Sequence, residues 1–448
     1  MKFGGTSVGD VAAFERVFRI VSEQVEKKPV VVVSAMTKVT DALLAAFDTA
    51  KKSDSAEAAS AVLEPHFARH EEVSRTFLDE KRQQAFDEEL SFAKGELADL
   101  FKRVSRRSLP LAMMKDAVVS YGEQLSSRLL AEVLKARGVR ARQMDSRRLI
   151  VTDDEYGAAQ PDWNETERLT KIELEYLIQN GEVPVLGGFI AASRSGETTT
   201  LGRGGSDYSA ALVAAALRAR ELQIWTDVTG VMTCDPRIVR EARTIPVLSY
   251  EEAAELAYFG AKVLHPKTIQ PAVDYSIPVR VCNTFEPEKV GTMVLSESGE
   301  APNKIKSIAH KKNITILRIS SARMLGSYGF MSALFQIFDR HRTVIDVIST
   351  SEVSVALTLD DTASLEQVVG ELKRLGNVEV EPDNAVVCVV GEGLRAASGL
   401  AAKIFSTIED INVALVSHGA SSVNLTFVVK EEVVAEVIKR LHNEFFKS

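Results

Sequence analysis

Between Thr198 and Asp207 the chain reads Thr-Thr-Thr-Leu-Gly-Arg-Gly-Gly-Ser-Asp and runs directly into an alanine-rich stretch. Gly202, Gly204 and Gly205 let backbone approach a ligand, and Ser206 or Asp207 can cap the helix that follows. Free backbone N–H groups at a helix start suit a phosphate or carboxylate, and Arg203 adds a planar fork for a carboxylate. Asp207 in the same loop would oppose a simple anion, so the pair points to a zwitterion or a metal-bearing ligand. Tight strand-to-helix packing would explain the glycines alone but not the arginine and aspartate set among them.

Further glycine turns carry lysines: Lys2 precedes Gly4-Gly5, and Lys262 follows Gly260. Such turns neutralise transferring phosphates. There is no Walker A lysine, protein-kinase motif set or dinucleotide fingerprint. His66 and His70 share a helical face but lack a zincin glutamate, and read as solvated helix histidines.

The elements that must position these residues alternate strand and helix. Pro29–Ser34, Val183–Ile190, Gln223–Val228 and Pro278–Cys282 are apolar runs of the kind buried in a parallel sheet, with Ser34, Gly187, Gly188 and Asp227 at their ligand-facing ends. The expected fold is therefore α/β, a mostly parallel sheet between helices. Val11–Glu26 reads as an amphipathic helix, residues 41–107 as a helical insertion, and Val118–Gln124 as the opening of a helix with Glu123 near its N-terminus. Only Met1 precedes Lys2, so a native start a few residues upstream is expected.

Residues 286–303, rich in Glu, Pro, Gly, Ser and Asn, read as a linker, dividing a catalytic domain at 1–285 from a second domain at 304–448. The second domain is a duplication: Ser349–Thr358 aligns without a gap on Ser417–Thr426, an offset of 68 residues. Each copy reads as βαββα completed by a fourth strand, one at about 313–383 and the other at about 384–448. No strand follows the last helix, so 304–312 is expected to complete the second copy and interleave the two.

At 448 residues, 45% hydrophobic, with a net charge of −8, the chain is globular and offers no basic surface for nucleic acid or membrane. Cys234, Cys282 and Cys388 are too scattered for a disulfide framework or zinc cluster, and a reducing cytoplasm fits. No apolar run reaches the ~18 residues of a membrane-spanning helix.

Together Lys2-Phe-Gly-Gly-Thr-Ser7, Thr198–Asp207, Trp225-Thr-Asp-Val228, Asp235-Pro-Arg237 and Gly260-Ala-Lys-Val-Leu-His-Pro266 resemble the monofunctional aspartate kinases of the amino-acid kinase family, over essentially the whole chain. The duplicated unit resembles their tandem ACT domains, most like the lysine-sensitive class. The resemblance implies ATP-dependent phosphorylation of the L-aspartate side-chain carboxylate to 4-phospho-L-aspartate, the first step toward lysine, threonine and methionine. It implies that Arg203 holds the α-carboxylate, Glu123 and Asp207 the ammonium, with Ser34 and Thr40 in the same pocket. Lys2 would bridge the β- and γ-phosphates, acting with Asp207 as the catalytic pair. Gly4, Gly5 and Ser7 would donate to phosphate oxygens, while Thr226, Asp227, Met232, Arg237 and Lys262 would serve the nucleotide. Magnesium would ride on ATP, with no protein ligand.

For the effector, expected to be L-lysine, the resemblance implies Met324, Ser327, Gly329, Phe330, Met331, Val344, Asp346, Ser351 and Glu352. Departures from the family pattern are Met232 where a tyrosine is usual, Tyr121 where a histidine is common, and Gly326 and Val344 at usually polar positions. The resemblance also implies a homodimer through the ACT domains, with a dimer of dimers as its extension. The competing readings are a related carboxylate kinase and a non-catalytic amino-acid sensor; two acids able to hold a free ammonium favour aspartate.

Overall fold

The computed structural model describes residues 1–53, 55–260, 264–297, 304–326 and 328–447. They group as two compact units, one of Met1–Gly230 with His265–Ser296, the other of Val231–Leu264 with Glu297–Ser448.

In the first unit, Lys2–Phe3 (β1), Val31–Val33 (β2), Ala141–Met144 (β3), Val183–Gly187 (β4), Leu222–Thr226 (β5), Val279–Asn283 (β6) and Thr292–Leu295 (β7) lie in the sheet order β3-β4-β2-β1-β5-β6-β7. All neighbours are parallel except the β6–β7 pair. Every residue of β2 and β4 is buried, as a sheet covered on both faces requires. Thr292–Leu295 falls within the stretch read as a linker: Gly291 turns in the left-handed region (φ 72°) and returns the chain as a hairpin strand.

Helices Val11–Ser22 (α1), Val39–Ser53 (α2), Ala56–Ala61 (α3), Glu64–Phe77 (α4), Glu80–Arg106 (α5), Leu111–Ala136 (α6), Trp163–Gln179 (α7) and Gly205–Ala216 (α8) complete this unit's first 230 residues. Asp10 caps α1 by accepting the Ala13 N–H at 2.8 Å. The expected helical insertion is present as α2 to α5, and its apolar faces join the core built on the sheet. His70 is wholly buried there, not solvated as expected from sequence, because Nδ1 satisfies its donor capacity on the His66 carbonyl at 2.8 Å. Burial pulls its pKa down to about 4, so it is neutral.

Two expectations about helix ends are corrected. Glu123 does not sit near a helix start: α6 begins twelve residues earlier, at Leu111 after Pro110, and carries Glu123 in its middle. The cap of α8 is neither Ser206 nor Asp207 but Gly204, whose φ of 73° lies in the left-handed region; both polar residues fall in the first turn.

The second unit is built on a six-stranded antiparallel sheet. Ile305–Ser320 (β8), Ile348–Thr350 (β9), Ser354–Leu359 (β10), Asn377–Gly391 (β11), Leu415–His418 (β12) and Asn424–Lys430 (β13) lie in the order β9-β10-β8-β11-β13-β12. The interleaving expected from sequence takes the form of two long central strands. Thr315–Ser320 of β8 pairs with β10, whereas Ile305–Lys311 of the same strand pairs with the far half of β11, which in turn pairs with β13. The second copy thus takes its fourth strand from the stretch that precedes the first, and β8 and β11 each run through both.

Tyr250–Tyr258 (α9), Phe330–Arg340 (α10), Leu365–Leu372 (α11), Leu400–Thr407 (α12) and Val434–Phe446 (α13) belong to this unit. Val231–Leu264 is fastened to the sheet by specific bonds. The Ile308 N–H donates to the Thr233 carbonyl at 2.8 Å, the Ser307 hydroxyl to the Met232 carbonyl at 2.8 Å, and Thr233 Oγ1 meets His442 Nε2 at 3.1 Å.

Lys306 Nζ also reaches Glu252 Oε2 at 2.8 Å, with both side chains essentially fully buried. Lys306→Ala would leave that carboxylate uncompensated, and a loss of about 3–5 kcal/mol is expected for a broken buried pair. Denaturant melts of variant and parent check this, and a change under 1 kcal/mol would contradict it.

Candidate active site

The glycine loop, the end of β1, the loop after β2 and the middle of α6 surround one cavity of about 560 Å³. Of the substrate residues expected from sequence, Ser34, Thr40, Glu123, Arg203 and Asp207 all line it, together with Lys2 and Gly5. Lys2 Nζ lies 2.7 Å from Asp207 Oδ1, joining the end of β1 to the first turn of α8. Arg203 is exposed on the cavity wall and makes no hydrogen bond or ion pair among the described residues.

Close backbone packing sets these positions. A Cβ on Gly122 would lie 2.8 Å from the Ala35 methyl, and one on Gly187 would lie 2.9 Å from the Glu123 carbonyl oxygen. A Cβ on Gly188 would lie 2.7 Å from Ser206. The α6 helix, the tip of β4 and the start of α8 therefore approach as nearly as backbone allows, with Glu123 between them.

Glu123 is 3% exposed and its Oε2 has no hydrogen-bond partner among the described residues. Burial lifts its pKa from 4.5 to about 8, against the opposing pull of the Ala35 N–H, its own backbone N–H and the Lys2 charge. An unpaired buried carboxylate facing a cavity is built to receive a cation.

The phosphate-turn residues are placed differently. Gly4 donates its N–H to the Trp225 carbonyl at 3.1 Å. Ser7 is fully buried, with its hydroxyl 2.7 Å from Thr284 Oγ1 and its N–H donated to the Gly4 carbonyl at 3.0 Å, so both groups are engaged within the fold. Thr226 ends β5 and donates to Asp227 Oδ1 at 3.2 Å; neither lines the cavity. Met232 and Arg237 belong to the second unit, where Arg237 pairs with Asp235 at 2.7 Å and is largely exposed. Lys262 lies outside the described residues.

Other cavity residues escaped the sequence reading. Asp116, 1% exposed on α6, accepts N–H bonds from Gly157 and Thr200, each at 2.8 Å, and the Thr200 hydroxyl at 3.0 Å. It pins the strand Thr198–Thr200 that leads into the glycine loop. Lys38, exposed at the cavity wall with φ of 66°, and Lys115 add positive charge. A helical acid facing inward has no local signature; the left-handed Lys38 in Met-Thr-Lys-Val had only the polar turn around it as a signal.

In the second unit a cavity of about 730 Å³ is lined by Met324, Leu325, Gly326, Gly329, Phe330, Met331, Ser332, Ser351 and Glu352. This brings together six of the expected effector residues. Val344 is exposed and outside it, Ser327 lies outside the described residues, and Asp346 is engaged elsewhere. Tyr258 donates to Asp346 Oδ1, and Lys311 Nζ lies 3.1 Å from Asp346 and 2.6 Å from Asp360. Burial and Asp346 push the Tyr258 phenol well above its usual range.

The profile of the amino acid kinase family matches residues 1–283, and that of an ACT domain matches residues 387–445. The chain is 38% identical to the lysine-sensitive aspartokinase 3 of Escherichia coli, over its whole length and 98% of that protein. It is 36% identical to the chloroplastic aspartokinase 3 of Arabidopsis thaliana, over 81% of that protein. Its structure resembles that of E. coli aspartokinase III with aspartate and ADP, described as the R-state, at a TM-score of 0.84 and 37% identity, covering 100% of this chain and 99% of that one. The same enzyme with lysine and aspartate, described as the T-state, gives a TM-score of 0.84 at 36% identity, with the same coverage.

The Glu123 environment fixes a direction for pH dependence. Its folded pKa of about 8 lies above 4.5, so its contribution to stability is complete below about 4.5 and is lost as pH rises through 8. Glu123→Gln stays neutral. Between about pH 5 and pH 9 the variant is expected to gain on the parent by roughly 2–5 kcal/mol in urea melts. Parallel pH profiles would contradict this.

Proposed function

This chain belongs to the amino acid kinase family and, within it, to the aspartokinases, and we infer from that membership and the cavity's charges that it phosphorylates the side-chain carboxylate of L-aspartate with ATP. The product is 4-phospho-L-aspartate, and the protein is an ACT-regulated kinase of amino-acid biosynthesis. The observation that carries the reading is the convergence of Arg203, Asp207, Glu123 and Lys2 on one cavity.

In this reading Arg203 pairs with the α-carboxylate, and Glu123 and Asp207 take the ammonium, which gives the orphaned Glu123 Oε2 its partner. Ser34 and Thr40 contact the same substrate. Lys2 leaves Asp207 for the β- and γ-phosphates and stabilises the charge that develops between attacking and leaving oxygens. Gly4 and Gly5 let the phosphates approach the turn backbone, and Thr226 and Asp227 serve the nucleotide. An ionised carboxylate is already a nucleophile, so positioning and electrostatics do the chemistry and no general base is needed.

A magnesium ion carried on the ATP phosphates would neutralise phosphate charge there. The effector is L-lysine, and in our reading it occupies the Met324–Ser332 cavity with Glu352 taking an ammonium. It inhibits by binding one arrangement of the protein better than another. Exposed Leu325, Tyr328, Val344 and Val353 fit a homodimer through the ACT domains, for an enzyme working in the cytoplasm.

An ATP-dependent hydroxamate assay tests the reaction with L-aspartate, D-aspartate, glutamate and N-acetylglutamate. Turnover of L-aspartate is expected, and turnover of glutamate without aspartate would refute it. Arg203→Ala should raise the KM for aspartate by roughly 10- to 100-fold, the loss of a charged pair, with little change for ATP. Equal effects on both substrates would remove its assigned role. For regulation, Glu352→Ala should keep uninhibited kcat within about twofold while weakening lysine inhibition by about tenfold or more. Unchanged inhibition would place the effector elsewhere.

A further inference from the structure

Arg69, on α4 of the helical insertion, does not itself line the active cavity yet bonds to both loops that form one side of it. Its Nη2 donates to the Thr37 carbonyl at 2.7 Å and its Nη1 to the Gly9 carbonyl at 3.3 Å. Nη2 also lies 2.8 Å from His66 Nδ1, one turn earlier on α4; because a guanidinium can only donate, His66 is the acceptor and aims the fork. Thr37 is in the loop between β2 and α2 that carries Ser34 and leads to Thr40, while Gly9 closes the turn after β1 that follows Lys2 and carries Gly4 and Gly5.

The two loops are already in contact. Thr37 Oγ1 donates to the Gly5 carbonyl at 2.8 Å, and a Cβ on Gly5 or Gly9 would lie 2.9 Å from the Ala35 carbonyl oxygen or Thr37 Oγ1 respectively. Arg69 is the side chain that bonds to both loops at once, and it does so from a fixed base, since α4 is anchored in the core by Phe67, His70 and Val73.

We propose that Arg69 is a positioning residue of the phosphoryl transfer: it clamps the phosphate turn to the substrate loop, so that the insertion holds the distance between phosphate and attacking carboxylate. The role rests on the phosphotransfer reading above. A clamp of this kind acts on alignment more than on binding, because each loop keeps its own ligand contacts. Misalignment of about 1 Å costs up to about a hundredfold in rate.

The test compares the full-length parent with Arg69→Ala and Arg69→Lys. Arg69→Ala is expected to lower kcat by about 10- to 100-fold with KM for aspartate and ATP each within about threefold. Arg69→Lys, able to reach one carbonyl at a time, should fall between. Amide hydrogen exchange should accelerate at Gly5–Gly9 and Ala35–Val39 in both variants and stay unchanged in β8 and β11. If Arg69→Ala does not fold, Arg69→Lys decides by the same readings. A kcat within twofold of the parent, a rise in both KM values at unchanged kcat, or unaltered exchange in the two loops overturns the proposal. Should the parent not phosphorylate aspartate, the kinase reading fails by itself, and the exchange comparison alone decides whether the clamp exists.

Discussion

The 2.7 Å contact between Lys2 and Asp207 is the constraint from which the arrangement of the active cavity follows. It brings a cation from the first residue of the sheet's shortest strand against an anion from the first turn of α8, and both side chains are mostly shielded from water. Such a pair can part without leaving either charge uncompensated where each member exchanges its partner for a ligand of the same charge. In the proposed reaction phosphate would replace aspartate for Lys2, and ammonium would replace lysine for Asp207. The desolvation cost is then met by the fold, and binding two ligands at once keeps both charges compensated. β1 must lie centrally, between β2 and β5, to make the contact, and α8 must begin where Gly204 turns it.

Glu123 extends the same logic without a protein partner. Gly122 and Gly187, its neighbours in sequence and in space, leave no room for side chains, so the carboxylate is packed into a place from which only the cavity is open. Burial disfavours its charged form, and a nearby ammonium reverses that preference. In the proposed function the cavity would select a ligand by the sign and spacing of its charges: one anion at Arg203, one cation between Glu123 and Asp207, and a second anion beside Lys2.

Much of this was legible in the residues. The order of apolar runs and glycine turns gave the sheet and its ligand-facing end, because parallel strands must be apolar throughout and their connections must turn tightly. The Arg203–Asp207 loop pointed to a zwitterion or a metal-bearing ligand because opposite charges four residues apart in a glycine loop can converge on one ligand. The repeat at Ser349 and Ser417 declared the duplicated sheet. What stayed hidden depended on distant packing. Nothing local distinguishes Asp116 or Arg69 from a solvated helix charge, and their partners lie 84 and 60 residues away or more than 30. His70 was misjudged for the same reason: its helix looks amphipathic in isolation, and the insertion's core covers it. Asp346 resembled a free ligand group because Tyr258 and Lys311 come from other parts of the chain.

The regulatory sheet shows why a duplicated element need not act as two sensors. Strands β8 and β11 run through both copies, so neither copy can shift its central strands without moving those of the other. Val231–Leu264 is bonded to that sheet through Thr233, Met232 and the buried Glu252–Lys306 pair, so strain arising in the sheet is delivered to this segment directly. The copies differ in charge, however. Where the first carries Asp346 and Glu352, the second, at the same offset of 68 residues, carries Ala414 and Ala420. A second ammonium would find no carboxylate at those positions, so in the proposed function recognition of a cationic amino acid would fall to Glu352 of the first copy. The second contributes the shared strands and the rigidity that make binding in the first a property of the whole sheet.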